Sequence, residues 1–310
     1  MRTVSKAFAP ASISNLACGY DILGLALEAM GDEVIARISE KPGVRIKSIK
    51  GHSHGILKDV NANTAGKAVE EYLQFRQLKS HGIELEIIKN IPLGSGLGGS
   101  AASAVAAVVA TDRLMKTPLE KRDLLPFVLS GERVVHPNLP ADNVSASLLG
   151  GICMTQSLDP LMIHRIPIPT GIHIVVLLPD IQVLTAENRS KLKKEVRLKD
   201  HIRQSAQLGS FVLGCIRGNW DIIQFALKDF IIEPQRAQSI PHFYELQKTA
   251  LDHGALGCSI SGSGPAIFAF CMNSADAGNV EVALKGICAD KSIEAKSFIS
   301  GVSYNGAFCY

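Results

Sequence analysis

Between Asn90 and Thr111 the chain carries no charged side chain, and the two halves of that stretch differ in kind. The first half, Pro92-Leu-Gly-Ser-Gly-Leu-Gly-Gly-Ser, places four glycines in a short span. The second half, Ala101 to Ala110, is a solid apolar run, about half the length that a bilayer requires. It therefore reads as a buried helix, spanning about Ala101 to Leu114. Just upstream, Ile83, Leu85 and Ile87 alternate with Glu84 and Glu86, as in a strand with one face in solvent. A strand, a glycine-rich loop and a buried helix in that order make an anion site: glycine admits positive φ and close approach, and the helix adds its positive end.

The rest of the chain surrounds this unit. With 310 residues it exceeds the span of a typical single core, which predicts two domains. Pro167, Pro169 and Gly171 cluster in "HRIPIPTGIH" and predict a crossing there, with domains at 1–166 and 167–310. "TVSKAFAPASI" and Asp32–Glu40 read as strands, with "NLACGYDILGLALEAMG" between them as a glycine-punctuated loop. "NANTAGKAVEEYLQFRQL" reads as an amphipathic helix with Ala68, Tyr72 and Phe75 at helical spacing, and a further helix at 119–135 is interrupted by Pro126. "IHIVVLLPD" reads as a buried strand, and "CSISGSGPAIFAFC" as a glycine-rich turn feeding a strand. Helices are expected at Leu192–Ile216, Asp221–Phe230 and Phe243–His253. Strands and helices mix without strict alternation, so the fold class is α+β.

Composition narrows the function classes. The formal charge of +3, from 32 Lys+Arg against 29 Asp+Glu, is too small and scattered for a nucleic-acid surface. Seven cysteines with no C-x-x-C pair point to reduced thiols in a cytoplasmic protein, with neither a disulfide framework nor a zinc site. Pro10, Ser12, Ser14 and Asn15 break any signal-peptide core, and no membrane partner is expected. His52 and His54 lack further ligands at zinc spacing and suit a surface loop, and Trp220 suits packing.

Read from its residues alone, the loop admits more than one ligand. Gly94-x-Gly96-x-x-Gly99 spells the dinucleotide fingerprint, but the preceding strand has a solvated face, and about twenty residues on, where a second strand should end in an acid for the ribose, "LEKRDLL" reads as helix. Gly94-x-x-x-x-Gly99 followed by Ser100 matches a P-loop except for its lysine. Pro92, Gly96, Leu97, Gly98, Gly99, Ser100, Ala101 and Ala102 also follow a third pattern, P-x-x-x-G-L-G-S-S-A-A. In that pattern the loop resembles the phosphate-binding motif of the GHMP kinases, with Gly99 standing where the family usually has serine. "SGSGPAIFAF", from Ser261, resembles the family's third motif, and "APASISNLACGYDILGLAL" its first.

The resemblance implies an N-terminal domain of the ribosomal-S5 type, a ferredoxin-like C-terminal domain, ATP and Mg²⁺ between them, and a homodimer. It places ATP on Asn63, Pro92, Leu93, Gly94, Ser95, Gly96, Leu97, Gly98, Gly99, Ser100, Ala101, Ala102 and Gly262. Either Asn61 or Asn63 could equally be a helix cap. The metal falls to Ser100, at the helix N-cap, and to Glu132, eleven residues before Asn143.

Ser14-Asn-Leu-Ala-Cys-Gly-Tyr-Asp21 is closest to the homoserine-kinase form of the first motif, S-A-N-L-G-x-G-F-D, with Ala17 for a glycine. In that branch Asn15 and Asp21 hold the amino and hydroxyl ends of L-homoserine. Arg189 and Arg236 fork its carboxylate, Thr185 lies beside the reacting hydroxyl, and Asn143 contacts substrate. Pro140 stands where many relatives have histidine. A carboxylate suits an ammonium, and a guanidinium fork suits a carboxylate. Taken alone, Asp21 could cap a helix and either arginine could be a solvated surface charge. Other kinases of the superfamily, for mevalonate or sugar alcohols, and a non-catalytic ligand sensor of the same fold remain alternatives.

Overall fold

The computed structural model describes residues 2–78, 80–134, 140–181, 189–190 and 192–310. Two sheets carry the chain. The larger runs in the order β11-β1-β2-β4-β3, with β5 on the early part of β2 and β6 on β5. Its strands are β1 (Val4–Ser14), β2 (Leu23–Ser39), β3 (Gly43–Gly51), β4 (Gly82–Lys89), β5 (Ile152–Leu158), β6 (Leu161–Ile166) and β11 (Phe308–Cys309). All pairs are antiparallel except β3 and β4, which α1 (Thr64–Phe75) connects as a parallel crossover. The smaller sheet, order β10-β7-β9-β8, is antiparallel throughout: β7 (His173–Pro179), β8 (Gly257–Ile260), β9 (Ile267–Cys271) and β10 (Ala295–Ser300). The α+β class follows directly from this arrangement.

The helix α2 (Gly99–Asp112) is the centre of the first layer, packed on β1 and β2 and flanked by α1, α3 (Leu125–Glu132) and α4 (Asp142–Leu149). Every residue from Ala101 to Asp112 is buried, which explains a helix with no polar face. In the smaller sheet both faces are covered. Val175 and Leu177 of β7 pack in one core with α7 (Phe243–Asp252) and α8 (Ser274–Asp290). Ile174, Val176 and Leu178 face the other core with Phe211 of α5 (Leu198–Arg217) and Ile223 of α6 (Trp220–Ala226). A strand covered on both sides has no reason to alternate, hence the continuous "IVVLL".

Four sequence expectations change. The segment read as a loop up to Gly31 is strand from Leu23 onward. Its glycines mark close approach, not turns: a Cβ on Gly24 would lie 2.1 Å from the Asp142 carbonyl oxygen, and one on Gly31 2.3 Å from that of Ala9. Pro126 starts α3 where its missing N–H costs nothing. Residues 192–197 precede α5, and α6 ends at Ala226. Phe75 is 66% exposed, beside Phe127, whereas Ala68 and Tyr72 are buried.

Beneath the glycine loop lies a fully buried polar cluster. Lys89, the last residue of β4, pairs with Asp32 of β2, and its ammonium also donates to the Gly99 carbonyl (2.6 Å) and to Ser103 Oγ (2.8 Å). Asp32 accepts from the Asn90 and Ile91 N–H groups (2.9 and 3.0 Å) and from Ser103 Oγ (2.7 Å). Lys89→Met would leave Asp32 buried without its counter-charge and is expected to destabilise the fold by about 3–5 kcal/mol. Adding Asp32→Asn should recover a substantial part of that loss. Urea unfolding of both variants measures it, and a double variant as unstable as the sum of the singles would show that the two side chains are not coupled.

Candidate active site

The glycine loop, the turn after β1, the start of α4, and the turn between β8 and β9 enclose one cavity of about 250 Å³. Gly94, Gly96 and Gly98 have φ of 65°, 82° and 66°, values that leave the loop to glycine. At Gly96 a second constraint acts, since an added Cβ would stand 2.4 Å from the Ser261 carbonyl oxygen. The turn after β8 is docked there by Ser261 Oγ to the Gly96 carbonyl (2.7 Å) and by Ala266 N–H to the Ser95 carbonyl (3.0 Å). Gly98 is the N-cap of α2, so the first-turn amides of a helix whose first charged residue is Asp112 open on the cavity. Ser100 therefore lies in the first turn and not at the cap.

Ser100 Oγ donates to Glu132 Oε2 (2.8 Å), while the buried Glu132 Oε1 accepts no hydrogen bond among the described residues. Burial pushes Glu132 up to about 7, against the hydrogen bond from Ser100, the charge of Lys89 and the nearby Thr64 hydroxyl. An orphaned carboxylate oxygen beside a hydroxyl, both hard donors, fits a Mg²⁺ ion that takes few protein ligands and keeps phosphate oxygens and water. Lys89 is no substitute for a P-loop lysine, because Asp32 already neutralises it.

Across the cavity, the turn after β1 runs through Asn15, Leu16 and Ala17 at φ of 74°, 45° and 58°. Three successive non-glycine residues in the left-handed region store strain, as functional turns do. The turn is held by the Asn15 side chain, whose Oδ1 accepts from Asp21 N–H (3.1 Å) and whose Nδ2 donates to the Gly262 carbonyl (3.2 Å). That same carbonyl accepts from Arg236 (2.5 Å), whose buried Nε has no hydrogen-bond partner among the described residues. Asp21 forms an ion pair with Arg189. Burial nevertheless raises the Asp21 pKa, with both arginines opposing it, and burial lowers that of Arg236. At the start of α4, Asn143 Oδ1 accepts from Ser12 Oγ (2.8 Å).

The cavity thus brings together Asn15, Asp21, Asn143, Arg189, Arg236, Glu132, Gly262 and most of the glycine loop. Leu97 and Ala102 belong instead to the core below it. Asn63 does not line it: its Oδ1 caps α1 at Ala65 and Gly66, and its Nδ2 donates to Leu57. Thr185 lies outside the described residues. Sequence reasoning missed Ser14, Ser263 and Asp142. Asp142 is buried, and desolvation together with the Asp21 charge pushes it up to about 7. Its position beside Asn143 in "ADNV" was the available signal.

The GHMP kinases N terminal domain matches residues 63–151, and the GHMP kinases C terminal domain residues 214–290. A homoserine kinase of Chloroherpeton thalassium is 42% identical, covering 90% of each chain. One of Chlorobium phaeobacteroides is 38% identical over 99% of each. The chain belongs to the homoserine kinase branch of the GHMP kinase family. The crystal structure of a homoserine kinase from Cytophaga hutchinsonii superposes with a TM-score of 0.97 at 39% identity, covering 100% of this chain and 98% of that one.

Two predictions rest on the loop and its carboxylate. Gly99 has no positive φ, and a Cβ there would meet Ile91 at 3.2 Å, a contact that a small shift relieves. Gly98 does have positive φ, and its Cβ would stand 2.3 Å from Ser12 Oγ. Gly99→Ser should therefore keep the fold and ATP affinity within about threefold, while Gly98→Val should lower ATP affinity by at least about tenfold, as read by calorimetric titration.

The raised Glu132 pKa means that the folded state, in the absence of Mg²⁺, loses stability as pH rises from 4.5 towards 7. Glu132→Gln should accordingly raise Tm on the order of a few degrees at pH 8 and change it little at pH 4.5. Asp142 and Glu233, both also pushed up to about 7 by burial, retain a slope of the same sign.

Proposed function

We propose that the chain transfers the γ-phosphoryl group of ATP to the side-chain hydroxyl of L-homoserine, giving O-phospho-L-homoserine and ADP on the route to threonine. The observation that carries this reading is the convergence of a carboxylate and two arginines on one side of the cavity, facing a helix N-terminus on the other. A zwitterionic amino acid presents an ammonium and a carboxylate together, and Asp21 with Arg189 and Arg236 is the complementary set. Mevalonate lacks the ammonium, and a sugar lacks both charges.

The roles follow from position. Loop amides and the first turn of α2 take the phosphates, with glycine where side chains would block approach. Ser100 and Glu132 would hold Mg²⁺, which when bound offsets the charge gathered on the transferring group. Arg236, held by the Gly262 carbonyl and with Nε still unsatisfied, binds the substrate carboxylate. Arg189 shares that carboxylate, and Asp21 takes the ammonium, so binding exchanges their mutual ion pair for two pairs with substrate. Asn15 fixes the turn that carries Asp21, and Asn143 sits beside the glycine loop where the acceptor hydroxyl enters. Alignment of the reacting groups together with charge neutralisation supplies most of the acceleration.

A panel of hydroxyl compounds assayed for ADP release tests this reading. L-Homoserine should be phosphorylated far better than mevalonate or galactose, and comparable turnover of mevalonate would refute the acceptor assignment. Arg236→Ala should cost roughly 1.5–3 kcal/mol, or about 10- to 150-fold in kcat/KM, as a raised KM for homoserine with ATP affinity little changed. An equal loss in ATP affinity would move Arg236 to the nucleotide.

A further inference from the structure

Tyr20 does not line the cavity, yet it touches the groups that would read the acceptor. The centre of its ring lies 5.1 Å from the Arg236 guanidinium carbon and 5.8 Å from that of Arg189. Both are within the range where a cation is drawn to the negative face of an aromatic ring. We propose that Tyr20 is a positioning residue for acceptor recognition, its ring serving as the common surface that holds both guanidiniums aimed at the substrate carboxylate. The proposal rests on the amino-acid reading of the cavity.

The two arginines need such a surface. Their like charges oppose each other, and Arg236 is only 5% exposed, with one guanidinium nitrogen left without a partner among the described residues. Water does little to solvate that charge, and Asp21 pairs with Arg189. An aromatic face beside a desolvated guanidinium supplies attraction without adding a formal charge that would compete for it. A carboxylate in place of the ring would form a closed ion pair with Arg236 and leave it unable to bind substrate.

The ring is itself fixed. Gly19 N–H donates to the Asn15 carbonyl (2.8 Å) and Leu23 N–H to the Gly19 carbonyl (2.9 Å), closing the turn on both sides of Tyr20. A Cβ on Gly19 would strike Leu23 Cγ at 2.4 Å, so the backbone beside Tyr20 is packed against the start of β2. Burial and the Asp21 charge raise the Tyr20 pKa, so the hydroxyl stays protonated and favours the ionised form of Asp21. Ring and hydroxyl thus have separable roles, the first towards the arginines and the second towards the ammonium-binding carboxylate.

Steady-state kinetics of Tyr20→Leu, Tyr20→Phe and a fluorinated phenylalanine series at position 20 separate them. Tyr20→Leu should raise KM for L-homoserine about 10-fold or more, with KM for ATP and kcat within about twofold, because leucine fills space but lacks the π face. Tyr20→Phe should lie within about threefold of wild type. Successive fluorination weakens the ring's attraction for cations at nearly constant shape, so KM for homoserine should climb steadily along the series. This series also decides the matter if Tyr20→Leu does not fold. A flat fluorination series, or a parallel rise in KM for ATP, overturns the proposal. A wild type inactive on L-homoserine refutes the substrate reading alone if it phosphorylates another carboxylate-bearing acceptor, on whose KM the same series is then read. A wild type that accepts only compounds without a carboxylate overturns both.

Discussion

The buried pair of Asp32 and Lys89 is the fixed point from which the catalytic half of the molecule hangs. A loop with Gly94, Gly96 and Gly98 at positive φ has little conformational preference of its own and would lose much entropy on ordering. Asp32 grips the N–H groups of Asn90 and Ile91, where the chain approaches the loop, and Lys89 grips Gly99 and Ser103, where it leaves. Both ends are thus pinned to β2 and β4, and the span between them must arch with its amides outward. A buried ion pair is costly to desolvate and is weak evidence of stability in itself. Here each charge has its other hydrogen-bonding positions filled by groups whose placement defines the anion site. The lysine that other phosphate loops offer to the ligand is used below the loop to shape it.

Charge inside the cavity is arranged for ligands. Asp21, Glu132 and Asp142 line one space with Arg189 and Arg236, and burial raises the pKa of each of the three acids. Desolvation disfavours the ionised form of all three, and at Asp142 the Asp21 charge adds to it, so without ligands the site is poorer in compensating cations than its carboxylates require. A metal ion at Glu132 and an ammonium at Asp21 would each restore balance. Arg236 presents the opposite deficit, a buried cation with an unfilled donor. Free energy withheld from folding in this way is available for binding, which is the usual relation between stability and function at such sites.

How much of this the sequence disclosed depends on whether a feature is local. Glycines at Gly94, Gly96 and Gly98, followed by an all-apolar helix, point to one loop geometry because only glycine tolerates it. The continuous apolar run of β7 likewise implies burial on both faces. Glycines in β2 misled because Gly24 and Gly31 are small for tertiary reasons: a carbonyl from α4 and another from β1 press against them. Phe75 has the spacing of a core residue, but it stays exposed, its ring resting 5.0 Å from that of the buried Phe127. Lys89 was hidden for the same reason: its distance from Asp32, 57 residues in sequence, conceals the pair. Asn63 matched a position and proved to be spent on capping α1, a competing use that no motif can exclude.

The two halves of the site differ in the kind of group that builds them, and this bears on what each can change. The phosphate side is made of backbone amides on one continuous stretch, so its demands fall on a few glycines and alter little with the acceptor. The acceptor side is assembled from side chains on separate segments: Asp21 after β1, Asn143 on α4, Arg189 before α5, and Arg236 after α6, with Tyr20 behind the arginines. Each lies off the loop, which is tied to its neighbours by backbone bonds as well, from Ser12 N–H to the Leu97 carbonyl and from Ala266 N–H to the Ser95 carbonyl. A fold built this way keeps one phosphoryl donor while its acceptor chemistry varies, and the substrate is written in the distant residues.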